Sequence, residues 1–182
     1  MESIETNVNY INKIVADLQD YSRTIKPEHL NFNLKDLVSD VLQTISRQKN
    51  LLVNVNIEPE LNIKSDRGIL RRILTNLILN AIQAMPDGGK LNLSSCKKDS
   101  NILISVEDTG VGIPESIKEK LFTPMLTTKA KGQGLGLAVV KRLVEALKGT
   151  IDFESQLGSG TKFNITLPQG DIPTQPAPTQ LA

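Results

Sequence analysis

From Ile4 to Ile25 apolar residues recur at alternating spacings of four and three: Ile4, Val8, Ile11, Val15, Leu18 and Ile25, with Ser22 in the remaining seam position. That rhythm predicts one long helix with a heptad-like seam, widened by Ile14 and Tyr21. At 1.5 Å per residue it would be about 35 Å long. One helix cannot bury such a stripe alone. Two solutions stay open: packing on the chain's own globular part, or a bundle with another chain or an upstream helix. Pro27 ends the helix, because the residue before a proline is pushed out of the helical region.

Downstream the period changes repeatedly. Asn31 to Asn33 reads as a short extended piece, and Leu37, Val38, Val41, Leu42 and Ile45 predict a second helix. Leu51 to Ile57 alternates apolar and polar, as a strand does. A third helix is predicted from about Asp66 to Met85, stopped by the PDGG that follows. Lys90 to Lys97 and Asn101 to Asp108 predict a hairpin. Pro114 opens a short helix through Phe122, and Leu137 to Lys148 forms another, stopped by Gly149. Thr150 to Ser155 and Thr161 to Leu167 pair across QLGSG. From Gln169 the chain is rich in Pro, Thr and Gln without apolar period, and a disordered tail is expected. Together these elements predict an α/β (α+β) two-layer sandwich: a mixed, largely antiparallel sheet covered on one face by helices.

Composition narrows the function classes. The 182 residues leave room for one core-building domain and an appendage. Lys and Arg number 21 against 20 Asp and Glu, so bulk charge implies no nucleic-acid partner. The single cysteine, Cys96, excludes a disulfide framework and a cysteine-based metal site. Free cysteine favours burial, so a half-buried strand position is expected for it. No apolar run approaches the ~20 residues of a membrane span, and the first residues carry no secretory pattern. The expectation is a chain in a reducing cytoplasm with no membrane contact of its own.

Three stretches carry candidate chemistry. The third helix is apolar nearly all round, yet Asn76, Asn80 and Gln83 fall at i, i+4 and i+7. Buried amides must be paired. They form either a structural network or the wall of a polar cavity, where an amide oxygen suits a hard cation such as Mg²⁺. In DTGVGI, Asp108 ends a strand, and Gly110 and Gly112 let backbone come close to a ligand or make a plain Asx turn. Gly132, Gly134 and Gly136 precede a helix start, with Lys129 and Lys131 in front. Bare N-terminal amides and the helix dipole make an anion site there, unless the stretch is simply a flexible loop. Walker A and Rossmann spacings are both absent.

In this order and spacing the stretches resemble the ATP-binding domain of sensor histidine kinases, a superfamily shared with gyrase, mismatch-repair ATPases and a heat-shock chaperone. Asn76 to Ala84 resembles the asparagine motif, Asp108 to Ile113 the first glycine motif, Leu121 to Lys129 the phenylalanine motif, and Gly132 to Leu137 the second glycine motif. Gly158 to Pro168 resembles the closing strand. The resemblance runs from about Leu30 to Pro168 and implies ATP and Mg²⁺ as ligands. It implies that Asp108 holds the adenine amino group with Ile113 against the base and Thr161 nearby. Asn80 would ligate Mg²⁺, with Asn76 one turn earlier. Gln83, Ala84, Gly110 and Gly112 would complete the nucleotide-binding set. Gly132, Gly134, Leu135, Gly136 and Leu137 would present amides to the phosphates, under a lid containing Thr128 and Lys129.

Three departures from the family pattern stand out. Hydrolysing relatives carry a glutamate base where this chain has Asn76, and water is poorly activated without one. This favours phosphoryl transfer over hydrolysis. Met125 and Leu126 stand where aromatic residues are usual, and Gln83 where many members have lysine.

A histidine kinase needs an acceptor histidine followed by an acidic residue on a long helix. His29, the only histidine, follows Glu28 and Pro27 and precedes Leu30. It is expected to be a linker residue. Residues 1–28 are then the end of a helical dimerisation region and its linker, 29–168 the ATP-binding catalytic domain, and 169–182 a tail. The expected partners are ATP or ADP, a response regulator and the dimerisation helices of a longer parent kinase, for which membrane anchoring stays open. An anti-sigma-type serine kinase and a non-catalytic nucleotide-binding scaffold are the rival readings.

Overall fold

The computed structural model describes residues 25–45, 50–124 and 134–169. The expected N-terminal helix lies outside these residues for all but its last position, as do the lid from Met125 to Gln133 and the tail beyond Gln169. Among the described residues no helix is long and apolar enough to cross a membrane.

Among the described residues seven strands and four helices follow in the order β1 (Leu30–Asn33), α1 (Leu34–Thr44), β2 (Leu51–Asn56), β3 (Asn62–Ser65), α2 (Arg67–Ala84), β4 (Gly89–Lys98), β5 (Asn101–Asp108), α3 (Glu115–Lys118), α4 (Gly136–Ala146), β6 (Thr150–Gln156) and β7 (Gly160–Pro168). Five strands form one sheet in the order β2-β4-β5-β7-β6. Only β2 pairs in parallel, against β4, and the other contacts are antiparallel. The expected two-layer sandwich with a mixed, largely antiparallel sheet is therefore present. Alternation in β5 and β7 sends Ile102, Ile104, Val106, Phe163, Ile165 and Leu167 into the helical layer, where they are buried.

Helix α2 is the central strut. Leu70, Ile73, Leu74, Leu77 and Ile78 are fully buried, and each such side chain contributes about 1.5–3 kcal/mol. Its N-cap is Asp66, whose Oδ1 accepts the Ile69 amide at 2.9 Å. The other carboxylate oxygen accepts the Glu28 amide at 2.9 Å, so the same cap holds the preceding segment. Ile25, the last seam residue, packs against this domain's core.

Several local expectations need correction. Strand β3 and its antiparallel pairing with β1 have no counterpart in the sequence reading. The short helix after Pro114 stops at Lys118, and the chain continues to Thr123 in tight i→i−3 turns, with the Lys120 amide on Ile117 and that of Thr123 on Lys120. Cys96 is exposed rather than half-buried, because it shares the outward face of β4 with Asn92 and Ser94. Gly149 does not supply the left-handed end of α4. Lys148 does, at φ 61°, with its amide on Glu145 and that of Gly149 on Val144. Gly149 is needed for close approach, since a Cβ there would lie 2.5 Å from the Thr166 carbonyl oxygen. Gln169 is well held: its amide bonds to Ser100 at 2.7 Å and its Oε1 accepts the Lys64 amide at 2.9 Å.

Candidate functional site

The polar stripe on α2 is graded along the helix. Asn76 is 8% exposed, Asn80 is half-buried and Gln83 is exposed. An unpaired buried amide costs about 1–3 kcal/mol. Asn76 avoids part of this cost by donating Nδ2 to the Arg72 carbonyl at 3.1 Å. That bond fixes the amide's orientation, and its Oδ1 faces the first turn of α4, lying 3.6 Å from where a Cβ on Gly136 would stand.

Helix α4 begins without a side-chain cap. Its N-cap residue, Leu135, is buried and in helical backbone conformation, and it makes no capping hydrogen bond. Gly134 just before it is left-handed, with φ 66°. First-turn amides with no side-chain acceptor, beside a helix dipole, favour an anion. Gly134, Leu135, Gly136 and Leu137 thus stand together at this helix start. Thr128, Lys129 and Gly132 lie outside the described residues.

At the other end of the site, Asp108 is 6% exposed and closes β5. Its Oδ1 accepts the Gly110 amide at 2.8 Å, which is an Asx turn. The turn holds the carboxylate rigidly inside the fold. The loop then docks on α2: the Val111 amide donates to the Ala84 carbonyl at 3.0 Å. A Cβ on Gly110 would meet that same carbonyl oxygen at 2.5 Å. Gly112, at φ 71°, passes so close to β6 that a Cβ would lie 2.1 Å from the Gln156 carbonyl oxygen.

Thr161, also 6% exposed, sits beside Asp108 in the β5–β7 register and beside Ser155 in the β6–β7 register. Ser155 Oγ accepts the Ile113 amide at 2.9 Å, which draws the end of the loop onto the sheet. Ile113 packs half-buried against the core. Below, Phe122 meets Phe153 edge-on at 5.9 Å and Lys141 lies 5.9 Å from the Phe122 ring, anchoring the chain where it leaves α3.

The structure thus brings the asparagine stripe, Ala84, Asp108, Gly110, Gly112, Ile113, Thr161 and the start of α4 around one helix. Sequence reasoning missed Ser155 and Gly160. It also missed Thr109, whose Oγ1 accepts the Lys90 amide at 3.0 Å and approaches Met85 Sδ at 3.8 Å. Gly160 carried a readable signal in the GSG turn. Ser155 carried none.

Comparison with known proteins places this architecture. Residues 65–171 match the model of the histidine kinase-, DNA gyrase B- and HSP90-like ATPase family. The signal transduction histidine-protein kinase AtoS of Escherichia coli is 36% identical over 166 residues, 88% of this chain and 27% of AtoS. The chain spans 27% to 35% of the length of the first curated relatives that it matches. The catalytic domain of histidine kinase ThkA is similar in structure, with a TM-score of 0.70 and 31% identity over 78% of this chain and 96% of that one. ThkA in complex with response regulator protein TrrA matches with a TM-score of 0.76 and 29% identity, over 91% of this chain and 49% of that one. Full-length ShkA in complex with AMPPNP gives a TM-score of 0.80 at 27% identity, covering 92% of this chain and 36% of that one. With the family model matched over more than half its length, and with sensor histidine kinases as its relatives, the chain belongs to the histidine kinase-, DNA gyrase B- and HSP90-like ATPase family.

Proposed function

We propose that this chain is the Mg·ATP-binding catalytic part of a two-component sensor histidine kinase. One observation carries the reading. The loop behind Asp108 and the uncapped start of α4 both meet α2, which carries the asparagine stripe, between Asn76 and Ala84, about 12 Å along the axis at 1.5 Å per residue. A carboxylate at one end and main-chain amides at the other suit a base that donates and a polyphosphate that accepts.

In this reading Asp108 accepts the exocyclic amine of adenine, Ile113 lies against the base and Thr161 stands beside it. Gln83, Ala84, Gly110 and Gly112 border the nucleotide. The amides of Gly134, Leu135, Gly136 and Leu137 hold the phosphates, and Gly132, Thr128 and Lys129, outside the described residues, are assigned to the same end of the nucleotide by their place in the family motifs. Asn80 offers its amide oxygen to Mg²⁺. The donor fits a hard cation. An ion held there by Asn80 would supply positive charge against the phosphates.

The γ-phosphoryl then leaves ADP and joins a ring nitrogen of a histidine on the dimerisation helices of the parent kinase. A carboxylate of a response regulator takes it next. ShkA with AMPPNP and ThkA with TrrA support ATP and a response regulator as partners. Residues 1–28 are assigned to the dimerisation region and linker and 29–168 to the catalytic domain, which the held Gln169 extends by one residue ahead of the tail. His29 lies half-buried in irregular backbone between Glu28 and β1, a poor setting for an acceptor.

The test is incubation with γ-labelled ATP and Mg²⁺, with and without an acceptor-helix fragment supplied in trans. Acid-labile label is expected on the fragment alone. Label on His29, or on serine, would overturn the reading.

A further inference from the structure

The hydroxyl of Ser155 touches three groups. It accepts the Ile113 amide at 2.9 Å, lies 3.0 Å from the Gly160 carbonyl oxygen and lies 2.9 Å from Thr161 Oγ1. A serine hydroxyl has one proton and two acceptor sites. The Ile113 amide can only donate, so it occupies one acceptor site. The Gly160 carbonyl can only accept, so it takes the Ser155 proton. What Ser155 has left for Thr161 is an acceptor site, and Thr161 must spend its own proton there.

The consequence falls on the neighbouring wall. With its proton committed, Thr161 Oγ1 can only accept from any other group. Asp108, beside it in the register, carries a carboxylate that also only accepts. Both residues are 6% exposed, so water does not freely rescue a mismatched partner.

We propose that Ser155 is a positioning residue that sets the polarity of the base pocket. By accepting the hydrogen bond of the Thr161 hydroxyl it leaves the Asp108–Thr161 wall with acceptors alone. Where this wall faces position 6 of the purine, as the assignment of Asp108 to the exocyclic amine requires, it accepts from the amino group of adenine and has no donor for the carbonyl oxygen of hypoxanthine. Without Ser155 the Thr161 hydroxyl is free to rotate and donate, and it serves either purine. This inference rests on the nucleotide-binding reading above.

The test is calorimetry with ADP and inosine diphosphate, both with Mg²⁺, on the full chain and on Ser155→Ala and Ser155→Thr. The unaltered chain is expected to prefer ADP by about a hundredfold or more, as sites built to bond a substrate N–H do. Ser155→Ala should narrow that ratio at least about tenfold, and Ser155→Thr, which keeps the hydroxyl, should restore it. A purely structural role would lower both affinities together and leave the ratio intact, and that result overturns the proposal. If Ser155→Ala does not fold, Thr161→Val decides instead. It removes the acceptor and keeps the shape, so an unchanged ratio again overturns the proposal and a narrowed one supports it. Failure of the unaltered chain to bind either nucleotide is a different result, which removes the functional reading and this inference together.

Discussion

The amide of Val111 donates to the carbonyl oxygen of Ala84 at 3.0 Å, so the loop behind Asp108 hangs from the last turn of the helix that carries Asn76 and Asn80. One hydrogen bond thereby links the Asp108 end of the candidate site to the helix of the asparagine stripe. Gly110 makes it possible, because a Cβ there would stand 2.5 Å from the Ala84 oxygen and 2.7 Å from its Cβ. Gly110→Ala must push the loop off α2. A loss of about 1–3 kcal/mol in urea unfolding is expected, the usual cost of overpacking. Nucleotide affinity should fall further than stability alone explains, which calorimetry under folding conditions will show.

Asp108 is the residue whose charge matters more than its shape. In Asp108→Asn the Asx turn survives, because an amide oxygen still accepts from Gly110. The second carboxylate oxygen is replaced by a donor. A hydrogen bond to a charged group is worth about 1.5–3 kcal/mol, so ADP affinity should fall between about tenfold and about 150-fold. The melting temperature should stay close to that of the unaltered chain. A variant that binds ADP normally would remove Asp108 from the base pocket.

Much of this was legible in the chain. The polar stripe of Asn76, Asn80 and Gln83 stands out because helical period and apolar surroundings are both visible in one segment. The hairpin of β4 and β5 was readable for the same reason, with two alternating runs around a short polar turn. What escaped depends on partners distant in sequence. Strand β3 has four residues and one buried apolar side chain, Ile63, so it shows no period, and its strand character comes from pairing with β1. Ser155 is an unremarkable strand residue until the fold brings Ile113, 42 positions away, onto its hydroxyl. Lys148 takes the left-handed position because Gly149 is already committed to close packing on β7.

Asn80 tests the metal assignment. An amide oxygen contributes to a Mg²⁺ site only when the ion arrives with phosphates. Asn80→Ala should therefore abolish the gain in ADP affinity produced by Mg²⁺. Affinity measured in EDTA should change by less than about threefold, which is under 1 kcal/mol. Equal losses with and without Mg²⁺ would mean that Asn80 supports the helix or the nucleotide directly.

The two glycines of the turn between β6 and β7 separate backbone strain from crowding. Gly158 has φ 80° and nothing within 4 Å of where a Cβ would stand. Gly160 has φ 115°, and its Cβ would fall 2.0 Å from the Asp108 carbonyl oxygen. For Gly158→Ala only the left-handed conformation is penalised, at about 1–2 kcal/mol. Gly160→Ala adds overpacking against backbone, about 1–3 kcal/mol, to strain of about 1–3 kcal/mol. The clash also lies on Asp108, the residue proposed to anchor the base. Urea unfolding should therefore rank Gly160→Ala well below Gly158→Ala in stability. Gly158→Ala should bind ADP almost normally. If instead the two variants unfold at the same urea concentration, the close approach of Gly160 to Asp108 is not what fixes the end of β5, and the carboxylate must owe its position to the Asx turn alone.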